Sequence, residues 1–475
     1  MDSSELCYIP ATDAIEAFKK KNLSPVELMQ AVIKRAEAVE SQLGAFTYKH
    51  FDEAMSFAKL AEAKYSSGTE TGALEGLPVG IKDESEIEGK PTSNGSLLMD
   101  GYISTSTSVN NQRILEAGGI VHARTATPEF SIAGYTWSRL WGVTHNPWNL
   151  KYTPGGSSGG SSASLAGGTS ALCTGSDIGG SIRIPASACG IVGYKPPYGR
   201  NTDDPPFNLD FYCHTGPLAR TVKDAILLQN VMCGPHPTDI ASLRPKLVLP
   251  NEYEDIRGWK IALSMDLGGF EVDAEVQKNT KAAVEVFRSL GAEVEEVDIG
   301  WGTEVLDAGK TYLGHLFGGY IASVVKGRED DLTSYVRQFV ERSYGSTAQE
   351  FVGSLEVAAQ MYSTLGPLLE KYNVLICPTN ALPAVSADFD QSKDKVEING
   401  VEVDPMLGWV MTTPFNIMSR CPVLSVPSGF ASNKVPTGIQ IVGRTYCDED
   451  VFRAGLAYET ALGGWLSSAS NRPSL

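Results

Sequence analysis

Short apolar runs, each too brief to be a buried helix, set the strongest limit on what this chain folds into. LPVGIK (77–82), GIVHA (119–123), ALCTG (171–175) and CGIVGY (189–194) are separated by glycine-rich turns and by helix-like segments such as NQRILEAGG. WKIALS (259–264), AEVEEVDI (292–299), NVLICP (373–378), PVLSVP (422–427) and TGIQIVG (437–443) continue the series. Runs of this kind belong to sheets covered on both faces, so the fold class is α/β with a largely buried sheet. Ser24-Pro25-Val26-Glu27 carries the start signals of a helix: a capping serine, a proline in the first turn and a glutamate three residues after the cap. A second amphipathic run covers about 51–65. Between 303 and 371 the pattern is helical and polar without a strand, the character of a cap that shapes a substrate pocket. Proline and charge gather at 236–258, but the strands beyond still need partners, so residues 1–475 are read as one large domain.

Charge and composition exclude several classes. The formal net charge is −17, and a chain that acidic lacks the clustered Lys and Arg that would neutralise nucleic acid or an anionic membrane. The N-terminus has no basic segment leading into an apolar run, and no stretch is long and apolar enough to span a bilayer. The eight cysteines are scattered without a CxxC pair, which reads as reduced thiols in the cytoplasm. The six histidines are equally dispersed, so neither a metal site nor a cofactor has support in the sequence.

The candidate chemistry lies in TPGGSSGGSSASLAGG, residues 153–168, a stretch read as too polar and glycine-rich to be core. A flexible linker would separate self-sufficient halves, yet strand signals lie close on both sides. A phosphate loop would need a lysine after its glycines, and none follows. Gly155-Gly156-Ser157-Ser158-Gly159 matches the GxSxG elbow in letters, with His214, His236 and His315 as downstream partners, but the strand that an elbow requires is missing. Further on, GSDIGGSIRIP at 175–185 brings a second serine, Ser181, behind glycines whose successive N–H groups can converge on one oxygen. Lys82 ends the apolar run at 77–82, and strand alternation sends its side chain away from that of Asp83. A lysine desolvated in such a place can act as a base.

Taken together, Lys82, GGSSGGS at 155–161 and DIGGSIRIPASACGIVGYKPPYGR at 177–200 resemble the amidase signature family, and the resemblance runs over nearly the whole chain. It implies a single domain built on a central mixed, twisted β-sheet flanked by helices, with a signature core at about 70–235 and a variable helical region at about 303–371. It also implies a Ser–cis-Ser–Lys triad: Ser181 as nucleophile, Ser157 as proton relay after a cis Gly156–Ser157 bond, and Lys82 as base. The N–H groups of Ile178, Gly179, Gly180 and Ser181 would form the oxyanion hole. Ser158, Asp177 and Arg183 would buttress the loops, and Ser131 would face the substrate. The implied reaction is hydrolysis of a small or aryl carboxylic amide through an acyl-enzyme, with carbamates and esters open to the same chemistry and no cofactor. A homodimer is expected by analogy alone.

Two alternatives stand beside it. Glutaminase subunits of tRNA-dependent amidotransferases share the family, but they usually carry threonine where this chain has Ile178, and their Ser-Ser-Leu-Asp-Gln run is absent from GRNTDDPPFNLDFYCHTGP. A non-catalytic binding protein on the same scaffold would need no lysine at 82. The loop 198–215, with Phe207, Phe211 and Tyr212, is expected either to cover the site and admit a bulky group or to be an anchored surface loop. Tyr312, Leu313, Phe317, Tyr320 and Met361 are expected to make the pocket apolar.

Overall fold

The computed structural model describes residues 3–466 and 469–475. The apolar runs become strands of one eleven-stranded sheet. In chain order these are β1 (Phe46–Lys49), β2 (Pro78–Lys82), β3 (Ile120–Thr125), β4 (Leu172–Ser176), β5 (Val192–Lys195), β6 (Thr215–Ala219), β7 (Lys260–Leu263), β8 (Glu293–Glu296), β9 (Val374–Pro378), β10 (Val423–Phe430) and β11 (Pro436–Gly443). Their order across the sheet is β1-β3-β2-β4-β6-β5-β10-β11-β9-β7-β8. The sheet is mixed: β2 runs parallel to both β3 and β4, and β9 is parallel to β7, while β4, β6, β5, β10, β11 and β9 pair successively antiparallel.

Both faces of this sheet are buried at its centre, which is why its central strands read as largely apolar runs. In β9, Val374 and Ile376 join one core while Leu375 and Cys377 join the core on the other face. The first core is roofed by helices Ala274–Ser289 and Asp448–Leu462. The second fills the space beneath a cap of helices between Glu304 and Lys371. Helix Pro25–Leu43 begins at Ser24 with the reciprocal bonds of a capping box to Glu27. Among the described residues no helix is long and apolar enough to cross a membrane.

Three elements differ most from the sequence reading, the first being β1 (Phe46–Lys49), which none of the apolar runs announced. Helix Arg183–Cys189 takes up the start of the CGIVGY run, so β5 begins only at Val192. Strand β6 lies in the GPLA segment, where Pro217 and Gly216 mask the strand signal.

The glycine-serine stretch is corrected more deeply. Every residue from Thr153 to Gly168 is buried, although the composition reads as unfit for a core. Its small side chains let helix Gly159–Ala166 approach other backbone closely: a Cβ on Gly160 would stand 2.5 Å from the Ala45 carbonyl oxygen. Its hydroxyls mostly find local acceptors, Ser161 donating to the Thr174 carbonyl at 2.8 Å and Ser164 to the Ser161 carbonyl at 3.1 Å. Polar residues enter a core when their hydrogen bonds are met there.

Candidate active site

Strand alternation positions the first piece. Val79 and Ile81 of β2 point into the first core, so Lys82 emerges on the opposite face and is 1% exposed. Its Nζ lies 2.7 Å from Ser157 Oγ and 2.8 Å from Ser176 Oγ at the end of β4. Glu84 Oε2 stands 3.1 Å from the same nitrogen. Burial pushes the Lys82 amine below the usual lysine range, and Glu84 works against that shift. Asp83 turns the other way, accepting from the Ser93 amide at 3.1 Å, with the Arg124 guanidinium 3.7 Å off.

Ser157 follows a cis peptide bond at Gly156–Ser157 and is 1% exposed. The next residue ties this loop to the one bearing Ser181, since the Ser158 amide donates to the Ser181 carbonyl at 3.2 Å. Ser158 Oγ reaches the Ser176 carbonyl at 3.4 Å.

The loop from Asp177 to Ser181 is fastened from behind. Arg183 donates from Nε to Asp177 Oδ2 at 2.9 Å and from Nη2 to Asp177 Oδ1 at 2.8 Å, with both side chains fully buried. Its remaining donors go to the Thr412 carbonyl, Gln440 Oε1 and Asn416 Oδ1. Burial alone would raise the Asp177 carboxyl, but the Arg183 guanidinium and Asn416 hold it down at about 2. The Gly179 carbonyl is drawn away by the hydroxyls of Thr412 and Thr413, at 2.8 and 2.9 Å. Gly180 has φ +130°, and a Cβ there would collide with the Thr412 hydroxyl, so only glycine fits. Among the described residues, the N–H groups of Ile178, Gly179, Gly180 and Ser181 donate to no protein acceptor.

Ser181, Ile178, Gly179 and Ser131 line a cleft of about 50 Å³. Leu313, Phe317 and Phe339 from the cap, Ile184, and Met406, Leu407 and Val410 complete its apolar wall, with Gln391 at one side. Among the described residues no ionisable side chain lines it. Ser131 has a left-handed backbone, φ 60°, and its hydroxyl donates to Glu84 at 2.5 Å.

Other expectations divide. Leu313 and Phe317 reach the cleft; Tyr312 is buried behind it with its hydroxyl on Asp210, Met361 is buried in the core, and Tyr320 stays partly exposed. The aromatic residues of the 198–215 loop do not line the cleft beside Ser181. Phe207 packs edge-on against Phe317 and Tyr320, and Tyr212 stacks on Tyr312 with ring centres 3.6 Å apart, so the loop is anchored to the cap. His214 is committed to the Asp177 and Ser419 carbonyls, His236 to Thr238 and His315 to Ser346, which leaves the GxSxG reading without a histidine at either serine. The sequence reading missed Glu84, Ser176, Phe339 and the 406–410 wall; each is brought in by the fold from outside the glycine-rich motifs.

The fold thus sets a buried lysine against the Ser157 hydroxyl and places Ser181 in a loop whose backbone N–H groups bond to no protein acceptor among the described residues. The chain belongs to the amidase family: the family model described as Amidase matches residues 27–452. It is an amide-hydrolysing enzyme of the amidase signature type. An acylamidase of Rhodococcus erythropolis is 31% identical over 97% of this chain and 96% of its own. A glutamyl-tRNA(Gln) amidotransferase subunit from Nostoc punctiforme is also 31% identical, over 93% of this chain and 95% of its own. The crystal structure of a bacterial aryl acylamidase of the amidase signature family superposes with a TM-score of 0.89 at 30% identity, covering 96% of each chain.

Proposed function

We propose that this protein hydrolyses amides with an apolar or aryl acyl group, through an acyl-enzyme on Ser181 served by Ser157 and Lys82. Ser181 Oγ attacks the carbonyl carbon as its proton passes to Ser157, whose own proton passes to Lys82. The N–H groups of Ile178, Gly179, Gly180 and Ser181 take up the charge that develops on the carbonyl oxygen. The proton then returns through Ser157 to the departing amine, the C–N bond breaks, and water repeats the sequence on the ester. Asp177, Arg183 and Ser158 hold the loops in place.

The observation that carries this reading is the 2.7 Å contact between Lys82 Nζ and Ser157 Oγ, with no histidine offered to either serine among the described residues. The cleft wall supports the apolar preference. A glutamine substrate brings an ammonium and a carboxylate that need buried partners, and the lining residues supply no charge to meet them. Carbamates and esters with apolar groups fit the same chemistry.

A panel of 4-nitroanilides and free glutamine tests it. Turnover is expected with benzoyl or longer aliphatic acyl groups, falling as the acyl group shortens, and no ammonia is expected from glutamine. Ammonia release from glutamine with silence on every anilide would place the chain with the amidotransferase glutaminases instead.

A further inference from the structure

We propose that Glu84 is a positioning residue of this site, holding the Lys82 amine between two serine hydroxyls and setting the pH at which that amine serves as a base. The inference rests on the serine–lysine reading above. Lys82 Nζ has partners at Ser157 Oγ (2.7 Å), Ser176 Oγ (2.8 Å) and Glu84 Oε2 (3.1 Å). A neutral amine has a lone pair and two N–H bonds; an ammonium has three N–H bonds. In the neutral form the lone pair accepts the Ser157 proton while the two N–H groups donate to Ser176 and Glu84. After the transfer all three N–H groups point at the same three oxygens. The proton therefore moves without any of these heavy atoms changing place, and the carboxylate is already beside the new positive charge.

Glu84 is itself fixed by Ser131, whose hydroxyl donates to it at 2.5 Å from the wall of the substrate cleft. An opposite charge this close favours the charged form of a lysine, whereas burial disfavours it. Both act on Lys82, burial more strongly, and Lys82 in turn draws the Glu84 carboxyl below its usual range against its own burial. The other titratable groups facing Lys82 are Asp177 on the loop after β4 and Cys213 before β6. Arg124 of β3 donates to the Lys82 carbonyl at 3.2 Å, and Asp83 is turned toward Ser93 and Arg124. Asp203, which lines a polar cavity with Lys82 and Glu84, is raised by burial to about 7 and needs its own control.

The test is the pH dependence of kcat/KM for an acyl anilide, with the rate of Ser181 labelling by an aryl fluorophosphonate followed beside it. Glu84→Gln keeps the shape and removes the charge. Its acid limb is expected about one pH unit or more below that of the wild type, because a neighbouring opposite charge shifts a pKa by roughly 1–3 units. The rate above the limb should fall, since the base is weaker. Glu84→Asp should return the limb toward the wild-type position. A Glu84→Gln enzyme slower at every pH with its limb unmoved would overturn the proposal, as would a limb that moves only with Asp203→Asn. If the wild type is labelled normally and the limb stays put, Glu84 alone is misassigned; if the wild type resists labelling altogether, the serine–lysine reading fails and this inference falls with it.

Discussion

Ser181→Ala is expected to lower anilide turnover by on the order of 10⁴- to 10⁶-fold, with Lys82→Ala close behind it, because members of a nucleophilic relay act as a unit. The double variant should be no worse than the poorer single one. Ser181 is 6% exposed at the cleft, and alanine there removes a single oxygen, so little packing is lost. Lys82→Ala also deprives Ser157 and Ser176 of a shared partner, and its fold must be checked by circular dichroism before its rate is read. The measurement is steady-state release of 4-nitroaniline by both folded variants. Activity retained in Lys82→Ala but lost in a variant of His214 would contradict the relay.

The second large effect is on stability. Asp177→Ala is expected to cost about 3–5 kcal/mol, read as a lowered denaturation midpoint, because it strands the fully buried Arg183 guanidinium without its carboxylate. The same change removes the 2.7 Å bond from Asn416 Nδ2 to Asp177 Oδ1, leaving that nitrogen on the Asp177 and Tyr212 carbonyls, and loosens the loop that carries Ser181. Asp177→Asn, which keeps part of the hydrogen bonding, should fall between alanine and the wild type. The pH dependence has a definite sign. The folded-state carboxyl is depressed to about 2, so its stabilisation is present above the ordinary aspartate range near 4 and is lost as the pH falls toward 2. In Asp177→Ala that acid-sensitive share of the stability should be missing.

Much of the sheet was legible because burial on both faces turns strands such as β9 and β11 into predominantly apolar runs. Strand β6 was not, since Gly216 and Pro217 carry turn chemistry and only pairing with β4 and β5 makes the segment a strand. At the site, Lys82 was legible from its place at the end of an apolar strand, and the two serine loops from their glycines. The burial of Thr153–Gly168 was not, because composition cannot reveal that most of its hydroxyls find acceptors within the fold. Glu84 sits in DESEIEG, an acidic run that reads as a solvated turn; its approach to Lys82 comes from the course of the chain after β2. The cleft wall at Met406, Leu407 and Val410 lies more than 200 residues from Ser181 in sequence, and no local pattern links the two.

The most direct test is to mix the wild-type enzyme with the 4-nitrophenyl ester of a benzoic acid, quench it in acid during the first turnovers, and map the acyl group by peptide mass spectrometry. An ester acylates readily, so the covalent intermediate should accumulate. The account predicts one benzoyl group on the peptide containing Ser181 and none in Ser181→Ala. A benzoyl group on Ser157, or turnover with no covalent species at any time, would contradict it.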